Sequence, residues 1–304
     1  MNFKNKFFLT AILLVTSISL GAEEKLNEKP TIAVSTFSLY DIAKNIASDT
    51  AETFMILPFG VDAHSYEPTP KDMVKISRSN LVLYNGVGLE PWIEGFEFKN
   101  RALNMGQHVK LMEVGGDEDQ HNHDDHHHGR VDPHYWQSPQ NMILATERIT
   151  EELIALFPKN RELYSKNRDS YIAMLKNLDE DYKKELSSCQ LDTIIVNHNA
   201  FSYLANRYGF HTEALSGLSP EAEPSAKTMI KLIKFIREHS VETIFFEKFA
   251  NEKTIKSIAK EANVSYDVLQ PLGNITADEA KEKLSYEDIM RRNLKKISKA
   301  LKCQ

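Results

Sequence analysis

Short runs of β-forming residues alternate with segments of helical periodicity along the first half of this 304-residue chain. Strands that alternate with helices indicate βαβ units, and therefore a mostly parallel sheet. The expected strands are 31–35, 52–58, 81–84 and 108–112, and the expected helices are 39–47, 71–77, 90–95 and 140–157. The first half therefore predicts an α/β lobe.

The second half repeats this alternation after one long helix. From 161 to 187 there is no Gly or Pro, and Tyr171, Leu175, Leu178 and Tyr182 recur at helical spacing. At about 1.5 Å per residue this helix is roughly 40 Å long. Beyond it, strands are expected at 193–197 and 243–246, and helices at 201–208, 226–239, 252–262 and 287–301.

The fold class that follows is α/β, with two Rossmann-like lobes that have mostly parallel sheets and are joined by one long rigid α-helix. We place the N-terminal lobe at 23–158, the linking helix at 159–188 and the C-terminal lobe at 189–304. A helix is a stiffer connection than a Gly/Ser linker, so we expect only a small tilt between the lobes. The alternative is a core helix within a single large domain.

The N-terminus has the pattern of a cleaved signal peptide at 1–22. Lys4 and Lys6 precede an apolar run at 7–20, and small residues follow at Gly21 and Ala22. The run is too short for a comfortable membrane span, although an uncleaved anchor is the alternative. No Cys lies near the cleavage point, so no lipid anchor is expected. The mature protein should therefore be soluble outside the cytoplasm.

Charge and cysteine content narrow the possible partners. The net charge is −6 and the basic residues are scattered, which does not support nucleic-acid binding.

The two cysteines, Cys189 and Cys303, form a candidate disulfide in an oxidising compartment. The alternative is two unrelated thiols.

A histidine-rich, acidic tract at 117–129 interrupts the first half. Five of the eleven histidines of the chain fall in it, namely His121, His123, His126, His127 and His128. Imidazole and carboxylate groups are good ligands for divalent transition metals, but a flexible loop holds an ion only loosely. The tract predicts auxiliary metal binding, and its alternative is a solvated insertion.

Three further residues, His64, His198 and Glu247, come after the ends of expected strands, where α/β sheets bind their ligands, and His134 follows the His-rich tract. His64 and His134 belong to the first lobe, and His198 and Glu247 to the second. Their wide separation rules out a local finger-type motif, so only the fold can bring them together. We predict that the three histidines bind one metal ion in the cleft between the lobes. Glu247 is either a further ligand or the acceptor that orients a ligand imidazole.

Several motifs carry a family resemblance. They are Leu57-Pro-Phe-Gly with Ala63-His-Ser-Tyr-Glu-Pro-Thr-Pro70, Asp132-Pro-His-Tyr-Trp136, Asn197-His-Asn-Ala-Phe201 and Gly217-Leu-Ser-Pro-Glu-Ala-Glu-Pro-Ser225. With the His-rich tract, they make the mature chain resemble the zinc-binding periplasmic components of ABC importers. The resemblance implies ligation of zinc by His64, His134 and His198, location in the periplasm and delivery of zinc to a membrane permease.

One motif departs from the family pattern. Where many members have an aspartate that completes the metal site, this chain reads Leu269-Gln-Pro-Leu-Gly273, with Gln270 at the aspartate position. The fourth ligand stays open between a water, Glu247 and a residue of the His-rich tract. Three neutral imidazoles favour Zn²⁺, whereas Mn²⁺ prefers harder oxygen ligands. Because the imidazoles must be deprotonated to bind, we expect binding to weaken below about pH 6.5.

The leading hypothesis is a monomeric zinc-capture protein, not an enzyme, that delivers Zn²⁺ to an ABC permease. A zinc-dependent hydrolase is the first alternative, because three histidines and an open position also describe a hydrolytic site. The chain contains no His-Glu-x-x-His and no Gly-x-Ser-x-Gly motif to support it. A manganese-binding or adhesion-type relative is the second alternative.

Overall fold

The part of the chain that the structure describes comprises residues 29–114, 130–216, 225–248 and 252–304 of a computed structural model. The expected signal peptide and the His-rich tract, with its five histidines, lie outside these ranges. So does most of the motif at 217–225.

The first lobe contains a four-stranded parallel sheet in the order β2-β1-β3-β4. Its strands are β1 (Thr31–Val34), β2 (Glu52–Met55), β3 (Leu81–Tyr84) and β4 (Arg101–Asn104), and its helices are α1 (Phe37–Ala47) and α2 (Pro70–Arg78). β1 and β3 are apolar and almost fully buried, as a central parallel strand with both faces covered requires. A small antiparallel pair follows, formed by β5 (Met112–Val114) and β6 (Arg130–Asp132).

Two helices connect the lobes, α3 (Pro139–Leu156) and α4 (Arg161–Glu185). The long helix α4 has 25 residues and confirms the predicted connection between the lobes. Two of its buried tyrosines make hydrogen bonds, one to each lobe. Tyr171 donates to Asp41 Oδ2 of α1 at 2.7 Å, and Tyr182 donates to the Met290 carbonyl oxygen at 2.7 Å. α4 therefore packs against both lobes along its length.

The second sheet repeats the strand order of the first. It runs β10-β9-β7-β8 and is parallel throughout. Read from its other edge it is β8-β7-β9-β10, so in both sheets the first strand of the lobe lies between the second and the third. The strands are β7 (Thr193–His198), β8 (His211–Ser216), β9 (Thr243–Phe246) and β10 (Ser265–Val268). The helices are α5 (Ser202–Tyr208), α6 (Ala226–Glu238), α7 (Glu252–Ala262), α8 (Ala277–Lys281) and α9 (Tyr286–Leu301). The two lobes thus share a topology that no residue-level repeat reveals.

Some expected elements were wrong. The expected strand at 108–112 is mostly irregular, since only Met112 belongs to a strand, and the helix expected at 90–95 is a single 3₁₀ turn, Pro91–Ile93. The analysis also missed β4, β6, β8 and β10. β4, β8 and β10 are sheet edges with short or mixed polar sequences. Such strands expose one side to solvent and lack the continuous apolar run of a central strand.

Cys189 and Cys303 lie at disulfide-bond distance, which agrees with the predicted pairing. The backbone beside them is also paired, because Leu191 N donates to the Leu301 carbonyl at 3.0 Å. The disulfide therefore fixes the end of α9 to the start of the second lobe. Across the described ranges, every helix is either too short or too polar to cross a bilayer.

Candidate metal site

Three imidazoles from distant parts of the chain meet between the lobes. The Nε2 atoms of His64 and His134 lie 3.2 Å apart, and those of His198 and His134 lie 3.4 Å apart. One ring nitrogen from each histidine lies within 4.8 Å of the other two. His134 and His198 are each 2% exposed, whereas His64 is half-buried. The fold therefore brings together the three histidines that the sequence singled out.

The fold explains why these residues meet. His198 is the last residue of β7, at the point where the chain order of the strands reverses between β7 and β9. Ligand sites in open α/β sheets lie outside the carboxyl ends of strands at such a reversal. His64 lies in the loop between β2 and α2, and His134 lies in the turn after β6. Both first-lobe loops face this end of the second sheet.

Asp132 holds the His134 ring. Its Oδ1 atom accepts from the His134 backbone N–H at 2.9 Å and lies 2.8 Å from His134 Nδ1. Asp132 is fully buried. A carboxylate at Nδ1 fixes the proton there and leaves the lone pair on Nε2, which is the atom that faces the other histidines. The sequence analysis missed this role, although the Asp132-Pro-His134 spacing was a usable signal.

Glu247 performs the same task for His198. Its carboxylate pairs with His198 Nδ1, on the side of the ring away from the other two histidines. The Glu247 backbone N–H in turn donates to Asn197 Oδ1 at 2.9 Å, which ties the end of β9 to the end of β7. Glu247 therefore occupies the orienting position rather than the side where Nε2 atoms converge.

Burial and neighbouring charges shift the pKa values of the three imidazoles in different directions. For His64, burial and the two other histidines lower the pKa to about 3. Burial lowers the pKa of His134, with Asp132 acting in the opposite sense. Burial also disfavours the charged form of His198, but Glu247 outweighs it and raises the pKa of this imidazole. His198 is therefore the first of the three to take up a proton as the pH falls.

Gln270 occupies the position where many members of the family have an aspartate. It is buried, and both polar atoms of its side-chain amide make a hydrogen bond. Its Nε2 donates to Glu279 Oε2 at 3.0 Å, and its Oε1 accepts from the Leu272 N–H at 3.2 Å. These bonds use both polar atoms of the amide to shape the loop that follows. The side chain is thus engaged with Glu279 and Leu272.

The remaining described histidines lie elsewhere. His108, His211 and His239 are exposed and do not join the three-histidine group. Among the His, Cys, Asp and Glu residues of the described ranges, the group contains His64, His134 and His198 alone.

The spacing of the nitrogens suits a small tetrahedral cation. Ligands about 2.0–2.1 Å from a tetrahedral zinc ion lie about 3.3–3.4 Å from each other. The two Nε2 separations of 3.2 and 3.4 Å match this value. Three neutral nitrogen donors at this spacing can hold a borderline cation such as Zn²⁺.

Fold and site together define a two-lobed α/β binding protein with a three-histidine group between the lobes that could hold a metal ion. The chain belongs to the family described as the periplasmic component A of the zinc-uptake complex, whose sequence model matches residues 32–300.

Curated relatives agree with this assignment. The chain is 32% identical over 303 residues to the high-affinity zinc uptake system protein ZnuA of Bacillus subtilis, covering 97% of this chain and 94% of that protein. It is 31% identical over 301 residues to the zinc-binding lipoprotein AdcA of Streptococcus pneumoniae. That match covers 97% of this chain but only 60% of AdcA. The chain thus spans less than two thirds of AdcA.

A solved structure shows the same fold. The Zn(II)-bound ZnuA-like domain of Streptococcus pneumoniae AdcA is 30% identical and superposes with a TM-score of 0.76. The match covers 90% of this chain and 99% of that domain.

Proposed function

We propose that this protein captures Zn²⁺ outside the cytoplasm and delivers it to a membrane ABC permease. The observation that carries the proposal is the convergence of three imidazoles, with His134 Nε2 at the spacing of tetrahedral zinc ligands from the Nε2 atoms of both His64 and His198. The names of the relatives from B. subtilis and S. pneumoniae, which refer to zinc uptake and zinc binding, support it.

In this proposal His64, His134 and His198 bind the ion through Nε2. Asp132 and Glu247 hold two of these rings with the lone pair directed inward, because each carboxylate accepts the Nδ1 proton. With no fourth described His, Cys, Asp or Glu in the group, a water or a residue outside the described ranges completes the coordination. Gln270 contributes to the site indirectly, because its hydrogen bonds to Glu279 and Leu272 shape the loop that follows it.

The finer points of the proposal concern location and assembly. We infer a monomer that is exported by the signal peptide 1–22, works in the periplasm and carries the Cys189–Cys303 disulfide. The boundaries at 23–158, 159–188 and 189–304 remain part of this proposal. The His-rich tract would collect zinc with low affinity beside the tight site.

Transport fits this site better than hydrolysis. A hydrolytic zinc site needs a general base that is free to act on the metal-bound water. Glu247 pairs with His198 Nδ1 and Asp132 with His134 Nδ1, so the carboxylates that contact the histidine group already serve the ligands.

The test is a zinc titration of the untagged protein with a competing chelator, together with X-ray absorption at the zinc edge. We expect one tight ion with nitrogen-rich, four-coordinate geometry. His198→Ala should remove the tight site, and His211→Ala, which changes an exposed histidine, should leave it intact. A wild-type protein that binds zinc no more tightly than the His198→Ala variant would refute the proposal.

A further inference from the structure

Residues 270–275 of the second lobe make hydrogen bonds to three separate segments of the first lobe. The Pro271 carbonyl accepts from the Trp136 and Gln137 side chains, in the turn that carries His134. The Gly273 carbonyl accepts from Phe37 N at the start of α1. The Asn274 side chain and the Ile275 carbonyl contact the loop that leads to His64. We call residues 270–275 the interlobe clamp.

Asn274 makes the most specific of these contacts. Its Nδ2 donates to the carbonyl oxygens of Pro58 and Val61, both at 2.7 Å, and its Oδ1 accepts from Ile275 N at 2.8 Å. Asn274 is 4% exposed, and both of its side-chain N–H groups and its Oδ1 atom have hydrogen-bond partners within the protein. Water cannot readily replace these bonds at a buried position.

The contacted segment is a tight turn three residues before His64. Val61 N donates to the Pro58 carbonyl at 3.3 Å, and Gly60 has a φ of 80°, in the left-handed region. Gly60 N donates to the Ile275 carbonyl at 3.0 Å. Asn274 and Ile275 therefore hold the turn at three backbone atoms.

His64 needs such support more than the other two histidines do. Asp132 holds His134 and Glu247 holds His198, each through Nδ1. His64 is only half-buried, and its described ring contacts are with the other histidines of the site. Its position therefore depends on the backbone of the loop that carries it.

We propose that Asn274 is the positioning residue for His64, and that through the interlobe clamp it sets the affinity and release rate of zinc. This inference rests on the proposed function. Its chemical basis is that only a primary amide of this length reaches both carbonyls with two N–H groups, whereas a carboxylate would place an acceptor against two acceptors.

Gln270 acts in the same clamp. Leu272 has a φ of 63°, an unfavourable region for a residue with a side chain, and Gln270 Oε1 accepts its N–H. Gln270 thus stabilises the bend that presents Pro271 and Asn274 to the first lobe. In this chain, residue 270 therefore stabilises the conformation of the interlobe clamp.

The chain offers a matched control in Asn100. Its Nδ2 also donates to two carbonyls, those of Ile76 and Ser79, both at 2.9 Å, but all three residues lie in the first lobe and away from the histidines. Asn274→Ala should weaken zinc binding about tenfold or more, the range seen when the support of a metal ligand is lost. It should also speed release to a chelator, while Asn100→Ala leaves both values at the wild-type level.

A double-mutant cycle separates positioning from general destabilisation. In a His64→Ala background, Asn274→Ala should cause no further loss of zinc affinity, because the ligand it positions is absent. In an Asp132→Asn background, which weakens the site but keeps all three histidines, Asn274→Ala should still cause the full loss. If Asn274→Ala folds poorly, Asn274→Ser, which keeps one donor, should give a smaller loss with the same dependence on His64.

The outcomes distinguish the two proposals. Wild-type protein without a tight zinc site would refute the proposed function itself. Tight wild-type binding with equal affinities for Asn274→Ala and Asn100→Ala would overturn the role of Asn274 alone. So would a loss of affinity that persists in full in the His64→Ala background.

Discussion

The indole nitrogen of Trp136 donates to the carbonyl oxygen of Pro271 at 2.7 Å, which joins the His134 turn to the second lobe. Gln137 donates to the same oxygen at 2.6 Å. Tyr286 of α9 donates to the Trp136 carbonyl at 2.6 Å. All three residues are buried. The turn next to His134 is therefore fixed from both lobes.

Asp132→Asn should weaken zinc binding about 10–100-fold, the usual cost of losing the partner of a metal-bound imidazole. An amide in place of the carboxylate no longer favours the proton on His134 Nδ1, so the Nε2 lone pair is less available. Chelator competition at pH 7.5 measures the change. Asp278→Asn, at an exposed position of α8, is the control. Equal affinities for the two variants would contradict the orienting role of Asp132.

The pH dependence of zinc binding should reflect one histidine. The pKa of His198 is raised, so this imidazole is charged in the metal-free protein at mildly acidic pH and zinc must displace its proton. The pKa values of His134 and His64 are lowered, that of His64 to about 3, so both imidazoles take up protons at lower pH than His198 does.

Affinity should therefore fall about tenfold per pH unit as the pH drops below the raised pKa of His198. The onset lies above the value of about 6.5 expected from an unperturbed imidazole. Titrations from pH 8 to pH 5 with a competing chelator measure the slope. A hundredfold or thousandfold loss per unit would mean that two or three imidazoles take up protons together.

Glu247→Gln should change this profile in a defined direction. Without the carboxylate, the pKa of His198 falls, so proton competition begins at a lower pH. At pH values above the raised pKa of His198, where this imidazole is neutral in both proteins, the variant should bind zinc more weakly because the ring is less well oriented. The two affinity curves should therefore converge as the pH falls. Glu238→Gln on the exposed end of α6 should reproduce the wild-type curve.

Removing the disulfide should lower the stability of the protein. Cys189 and Cys303 are separated by 114 residues, and losing a native disulfide typically costs about 2–5 kcal/mol. We expect Cys189→Ser with Cys303→Ser to unfold at lower denaturant concentration, with zinc affinity close to wild type, because neither cysteine contacts the histidines. Reduction that leaves the unfolding midpoint unchanged would count against a formed disulfide.

Deletion of the His-rich tract, 117–129, tests its auxiliary role. The three histidines of the tight site lie outside the deleted segment, so its affinity should be unchanged where a water is the fourth ligand, and a loss of affinity would assign that ligand to the tract. The number of weakly bound zinc ions should fall, and so should uptake by cells grown at low zinc. Replacement by a Gly/Ser segment of equal length controls for spacing. Wild-type uptake after deletion would show that the tract is only a solvated insertion.

Sequence reasoning found the central strands of both sheets and the edge strand β2, but it missed the edge strands β4, β8 and β10. Buried strands such as β1, β3 and β7 show continuous apolar runs that can be read directly. Edge strands such as β10, with Ser265 and Tyr266 exposed, carry no such run, and their identity depends on pairing with a neighbour. The edge strands β8 and β4 were missed for the same reason.

The proposed metal-binding histidines could be predicted from the sequence, but most of the residues that hold them in position could not. His64 and His198 each follow a strand-like run, and His134 follows the His-rich tract, which marks all three in the sequence. The partner of His134 is two residues away, while that of His198 is Glu247, and Asn274 acts on carbonyls more than 200 residues distant in the chain. Nothing in local sequence specifies contacts of that kind.

The amino-acid sequence by itself determined the elements, the long connecting helix and the residue types able to bind a borderline cation, because hydrophobic periodicity and ligand chemistry are local properties. Tertiary structure alone decided that the nitrogens lie 3.2 and 3.4 Å apart, that Glu247 faces Nδ1 and that Gln270 shapes a clamp. These depend on the packing of two lobes against α4, and distances across a packed interface are set by all of the side chains within it at once.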